Sequence, residues 1–154
     1  MGLSDTLVTD AGLVELQALP KLQNLSLCGT AVGDAGMMQL ARLKSLDTLY
    51  LDRTQVTDAG LAHLRGLKGL KFLRLRQTLI TDAGLTHLAE FSTLVSLSLE
   101  NTRITDVGLM QIARMKQLEA LNIAGTDVTN AGVEALKATL PNCRVNTDFE
   151  VFVE

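Results

Sequence analysis

Three groups of residues have the types and spacing to do chemistry. His63 and His87 stand 24 positions apart, Cys28 and Cys143 are the two cysteines, and aromatic, cationic and acidic side chains gather mid-chain. Two imidazoles supply only half of a tetrahedral metal site, and no further ligands stand beside them in the pattern. The cysteines are far apart and lack metal-ligand spacing, so neither a disulfide framework nor a zinc site is indicated. Cys143 reads as a core leucine replaced by a small hydrophobe. There is no nucleophile elbow, phosphate loop or paired-carboxylate pocket, so the chain reads as non-enzymatic and without cofactors. The third group comprises Tyr50, Asp52, Arg53, Phe72, Arg74, Arg76, Gln77, Glu100 and Asn101. Tyrosine and arginine are the types most enriched at binding hot spots, which makes a protein partner the expected ligand.

The elements that position these residues follow from a period. Thr6, Thr30, Thr54, Thr78, Thr102 and Thr126 are 24 apart, and each is followed six residues later by a glycine, from Gly12 to Gly132. A fixed period of this length marks a solenoid. In the unit from Thr54 to Gln77, Leu61, Leu64 and Leu67 are spaced by threes, as on one stripe of a short helix or 3₁₀ turn. Leu73 and Leu75 alternate with Phe72, Arg74 and Arg76, the pattern of a strand buried on one face. Leu25/Leu27, Leu49/Leu51, Leu97/Leu99 and Leu121/Ile123 occupy the same slots.

Between strand and helix lies VTDAGL (8–13, 56–61), with variants such as VGDAGM at 32–37 and VTNAGV at 128–133. Either Thr57 or Asp58 can cap the helix, and Gly33 in the threonine slot favours aspartate as the dependable group. The glycine implies a backbone too crowded for Cβ or one needing positive φ. The threonine opening each unit suggests a ladder of hydroxyls bonded to the backbone of neighbouring coils, satisfying buried loop amides. The other reading is a surface turn.

The pattern LxxLxLxxT followed by VTDAGLxxLxxL resembles the leucine-rich repeat, with threonine where many subfamilies carry asparagine or cysteine. The TDAGL element is similar to the cysteine-containing class found in F-box proteins, in a shorter, bacterial-looking form. The resemblance covers residues 1 to about 145. It implies an α/β right-handed solenoid with a parallel sheet on the concave face and short helices on the convex back, in one domain over 1–154. It says little about function. No F-box segment is present, so a ubiquitin-ligase role does not carry over.

In such a coil, residues flanking the inward leucines face out from the concave sheet. Successive strand slots place Tyr50, Phe72, three arginines, Asp52 and Glu100 at its centre, between small or neutral groups on either side. A recognition surface there competes with a simpler reading, in which Asp52, Arg76 and Glu100 pair across the sheet. The basic run Arg65, Lys68, Lys71, Arg74 and Arg76 splits between helix end, loop and sheet, and reads as local solvation. A net charge of −3 with both signs scattered argues against nucleic acid and anionic membrane as partners. The N-terminus lacks a signal pattern and no apolar stretch reaches spanning length, giving a cytoplasmic expectation.

Met1, Leu3 and Thr6 align with Leu25, Leu27 and Thr30, so the chain starts within a strand slot. The expectations are an excised piece of a longer array, or an open face near Leu13 and Leu16 covered by homodimerisation. Towards the other end, LPNCRV (140–145) runs one residue late. Residues 146–154 read as a closing tail, with Phe149, Val151 and Val153 alternating as in a strand or else frayed.

Overall fold

The computed structural model describes residues 1–148. Six three-residue strands stack in chain order: β1 (Asn24–Ser26), β2 (Thr48–Tyr50), β3 (Phe72–Arg74), β4 (Ser96–Ser98), β5 (Ala120–Asn122) and β6 (Arg144–Asn146). Every neighbouring pair is parallel and in 24-residue register, so Leu25, Leu49, Leu73, Leu97, Leu121 and Val145 form one column. All but the partly buried Val145 are at most 1% exposed. Between strands run α1 (Asp34–Leu40), α2 (Asp58–His63), α3 (Asp82–Leu88), α4 (Asp106–Ile112) and α5 (Asn130–Thr139). The first repeat carries a 3₁₀ segment, Asp10–Ala18, in the helix position. This is the expected parallel solenoid, with helices and sheet sharing one aliphatic core.

The cap is threonine. Thr57, Thr81 and Thr105 each accept a hydrogen bond on Oγ1 from the backbone N–H two residues on, at 3.2–3.3 Å, and Thr129 accepts from Gly132 N–H at 3.2 Å. Aspartate, favoured from the sequence, bonds across coils instead. Asp58 accepts the Thr81 N–H at 2.8 Å and the Thr81 hydroxyl at 2.6 Å. Asp34, Asp82 and Asp106 repeat this with Thr57, Thr105 and Thr129. Asp10 reaches only the N–H of Gly33, which has no hydroxyl to offer, and α1 accordingly lacks a side-chain cap.

This contact also decides between the two explanations of the glycines. The glycines with positive φ are Gly29 and Gly125, neither of them in this slot. A Cβ on Gly60, Gly84, Gly108 or Gly132 would instead collide with the carboxylate of the preceding coil's aspartate. Crowding is the cause from the second repeat onward, whereas a Cβ at Gly12 would meet nothing closer than Val8 Cγ1 at 4.0 Å.

The opening threonines bond within their own coil, contrary to the expected inter-coil ladder. Thr54 and Thr78 Oγ1 each donate to the carbonyl three residues back, at 2.6 Å, so they satisfy carbonyls at the strand exit rather than amides. Thr30, Thr54, Thr78 and Thr102 are buried, while Thr6 is exposed. Leu13 and Leu16 are 1% and 5% exposed, so the expected open face does not lie there. Residues 1–5 add a rung to β1 through Leu3 N–H to Ser26 O and Asp5 N–H to Cys28 O. The late pattern at 140–145 is absorbed by the longer α5, since Leu140 and Cys143 are buried and the register returns at Leu121–Val145. The suggested strand alternation of Phe149, Val151 and Val153 lies outside the described residues.

Two substitutions test this framework. Leu73→Ala removes a side chain clamped between Leu49 and Leu97 and should lower the unfolding free energy by about 2–5 kcal/mol in denaturant melts. Gly84→Ala should destabilise by about 1–3 kcal/mol despite alanine's better helix propensity, because it displaces the Asp58 carboxylate. In an Asp58→Ala background the same change should be close to neutral. An equal cost in both backgrounds contradicts the crowding explanation.

Candidate functional site

The strands hold the central side chains in place because one backbone ladder repeats without a break. Asp52 is the anchor. It is 4% exposed, and its carboxylate pairs with the Arg74 guanidinium and accepts the Arg76 N–H at 3.1 Å. The Cys28 thiol approaches the same carboxylate at 3.7 Å. Arg74 is thereby drawn over the ring of Tyr50, 5.0 Å from its centroid. Stacking and pairing hold a half-exposed arginine in one orientation, which lowers the ordering cost of using it in recognition.

Of the pairing expected across the sheet among Asp52, Arg76 and Glu100, the Arg76–Glu100 half forms, while Asp52 takes Arg74 on the diagonal instead. Arg76 turns the other way, its Nε 3.1 Å from Glu100 Oε1, an ion pair without hydrogen-bond alignment. Glu100 also accepts from Asn122 Nδ2 at 3.1 Å, and Asn122 Oδ1 accepts from Asn146 Nδ2 at 3.1 Å. A chain of polar contacts therefore crosses β3 to β6. Asn122 and Asn146 were outside the sequence-derived set, although Asn122 was visible as a strand-slot residue. What singles them out is lateral contact, which no spacing within one repeat reveals.

Phe72 stands at the front of β3 with 41% exposure, beside the buried Thr48. Arg53, Gln77 and Asn101 lie beyond the ends of β2, β3 and β4. Their φ values are 56°, 53° and 54°, and Asp5, Gly29 and Gly125 share this left-handed turn. Each turn's N–H binds the next coil, as Arg53 N–H does with Arg76 O at 2.8 Å. Arg53 reaches back to Asp5 at 3.1 Å, and Asn101 Nδ2 donates to Glu100 at 3.3 Å. The Gly, Asp and Asn residues in four of the six slots were the available signal for left-handed geometry.

The structure thus joins Tyr50, Asp52, Arg74 and Arg76 into one cluster, with Phe72 beside it and Arg53, Gln77 and Asn101 along its rim. Two shallow grooves flank Arg74, each of about 490 Å³. One lies over Ser26, Cys28, Tyr50 and Asp52, the other over Ser96, Ser98, Asn122 and Arg144. Such open troughs suit a protein surface better than an enclosed small molecule.

The histidines lie elsewhere. His63 is exposed, and His87 Nδ1 contacts Arg65 Nη2 at 2.5 Å. Among the described residues no group of three or more His, Cys, Asp or Glu is arranged to hold a metal. Both cysteines are free, and burial pushes the Cys143 thiol pKa up. No described helix is long and apolar enough to cross a membrane.

The model of the Leucine Rich repeat family matches residues 92–113 and 116–137. The solved structure of internalin C2 from Listeria monocytogenes aligns with 96% of this chain and 70% of its own, at a TM-score of 0.67 and 25% identity. The chain has the leucine-rich-repeat fold. Two further solved structures share the fold. One is a leucine-rich-repeat protein of Leptospira interrogans, with TM-score 0.59 and 20% identity, covering 86% of this chain and 39% of that one. The other is a second Listeria internalin, with TM-score 0.51 and 19% identity, covering 97% and 53%. This leucine-rich-repeat chain therefore spans less than two thirds of the length of those two. No curated protein matches it. Leucine-rich-repeat folds serve generally as scaffolds for protein–protein interaction, which is the class of function the fold supports here.

Proposed function

We propose that this leucine-rich-repeat chain is a non-enzymatic binding scaffold whose protein partner seats on the concave face of repeats two to four. The observation that supports this is the Tyr50–Arg74–Asp52 stack beside exposed Phe72. A solvated face kept soluble by charge has no need of an exposed phenylalanine next to an arginine fixed by a buried carboxylate. Tyr50 and Phe72 supply rigid apolar area, and Arg74 and Arg76 retain donors beyond their internal pairs.

Tyr50→Ala and Phe72→Ala should each weaken partner binding by more than about 1 kcal/mol in calorimetric titration, with little change in melting temperature. Arg74→Ala should weaken binding as well. It should also lower stability, because Asp52 stays buried without its cation. His63→Ala and Gln111→Ala, on the helical back, should be silent. A partner indifferent to Tyr50 and Phe72 but lost with the back pair contradicts this assignment.

A second reading, self-association through the first repeat, is favoured by one observation. Leu7, Val14 and Leu19 are exposed there, Leu7 at 99%. Later repeats place Gln55, Arg103 and Asp127 in the Leu7 slot, so a polar residue is compatible with the coil. If this face pairs two copies, Leu7→Glu should convert a dimer to a monomer in sedimentation equilibrium at micromolar concentration. A monomeric parent chain rules this reading out.

A further inference from the structure

The coil sorts charge between its two flanks in a way that no single repeat displays. Nine of the 14 Lys and Arg residues fall in the segments leading from helix to strand (17–23, 41–47, 65–71, 89–95, 113–119 and 137–143), against three carboxylates, Asp47, Glu90 and Glu119. The opposite flank (5–10, 29–34, 53–58, 77–82, 101–106 and 125–130) carries seven aspartates and only Arg53 and Arg103. Backbone bonds stack the cationic flank coil upon coil, through Lys71 N–H to Asp47 O, Val95 N–H to Lys71 O and Glu119 N–H to Val95 O, at 2.8–2.9 Å. Scattered charges in the sequence therefore gather onto a basic flank, interrupted in the fourth repeat where 89–95 holds Glu90 and no cation, and an acidic flank.

Part of this sorting serves the fold. All five helices run the same way, so aspartates meet the positive helix ends and cations the negative ends. Lys44 does this directly, donating to Ala41 O at 2.5 Å. Most of the acidic edge is likewise committed, since Asp34, Asp58, Asp82 and Asp106 bind threonines of the next coil. The basic edge is not. Arg65 pairs with Glu90 at 3.3 Å, but the side chains of Lys21, Lys68, Lys71, Arg114 and Lys116 are in exposed residues and make no ion pair or hydrogen bond among the described residues. Lys71 lies beyond its helix, beside β3, where no helix end requires it.

We infer that the helix-to-strand flank, through the cations of repeats two, three and five, is a second interaction surface, taking an acidic segment of a protein partner. Charge complementarity selects the occupant. A cationic edge on a chain of net charge −3 attracts a local run of Asp and Glu at short range, while the whole molecule repels an extended polyanion. The edge also lacks the aromatic stacking platforms that single-stranded nucleic acid uses, since its only aromatic, Phe91, is buried. This surface stands apart from the Tyr50–Arg74 cluster and does not depend on it.

The test is fluorescence anisotropy on the whole chain with a labelled glutamate-rich peptide, against a lysine-rich peptide and a single-stranded oligonucleotide of similar length. The glutamate-rich peptide should bind at about 50 mM salt and weaken at least about fivefold by about 200 mM. Lys68→Glu, Lys71→Glu and Lys116→Glu together should weaken it at least about tenfold without shifting the melting temperature. Arg103→Glu, on the other flank, and Tyr50→Ala should each change it less than about twofold. Absence of binding, indifference to the triple replacement, or equal loss with Arg103→Glu overturns the inference. Loss with Tyr50→Ala relocates binding to the concave face and overturns it too. Tighter binding of the oligonucleotide replaces the acidic protein segment with nucleic acid.

Discussion

The aspartates that open α1 to α4 each hold the threonine that caps the next helix, and this one contact links the coils on the side where the chain leaves the sheet. The carboxylate receives an N–H and an O–H from the same threonine, at 2.8 Å and 2.6 Å for Asp58 and Thr81. The threonine oxygen in turn receives an N–H of its own helix, so donors and acceptors run in sequence from one coil to the next. Bonds to a charged acceptor are worth about 1.5–3 kcal/mol each, more than the exposed ion pairs of the front face. Gly36, Gly60, Gly84, Gly108 and Gly132 are the steric consequence, because each leaves the room that the preceding coil's carboxylate occupies. Cap, glycine and aspartate are one device.

With that flank tied down and the leucine column packed behind the sheet, the strands need only three residues each. Short strands in strict register turn a sequence period into straight lateral columns. Side chains 22 or 24 positions apart then touch, as Arg74 touches Asp52 and Arg76 touches Glu100. The proposed recognition surface is therefore made between repeats. A consensus array with identical repeats would stack like on like at 24 positions, so the Arg76–Glu100 pair depends on the third and fourth repeats departing from it. Tyr50, Phe72 and Arg74 are departures of the same kind.

The left-handed turn after each strand has a comparable double role. Its N–H continues the ladder past the strand end, so its backbone geometry is imposed in every coil, even on Arg53 and Gln77. A non-glycine residue here has its backbone in a sparsely populated region, and its side chain is carried onto the rim of the front face. Arg53 uses that placement to reach Asp5 in an earlier coil.

Much of the architecture was legible in the residues alone. The 24-residue period, the leucine slots of helix and strand, and the outward position of Tyr50, Phe72 and Arg74 all follow from periodicity, because period and burial are local properties of each unit. The roles within the TDAG element were not. Threonine and aspartate both suit a helix start, and only the next coil, stacked within hydrogen-bonding distance, makes one the cap and the other its support. The same holds for the glycine, whose neighbour is a carboxylate from 26 residues earlier, and for Leu13 and Leu16, which are covered in the folded chain. Charge shows the division most plainly. The sequence by itself determined how many cations and carboxylates there are and that both signs are scattered. Only the tertiary structure, by aligning every helix in one direction, decided that they separate onto opposite flanks.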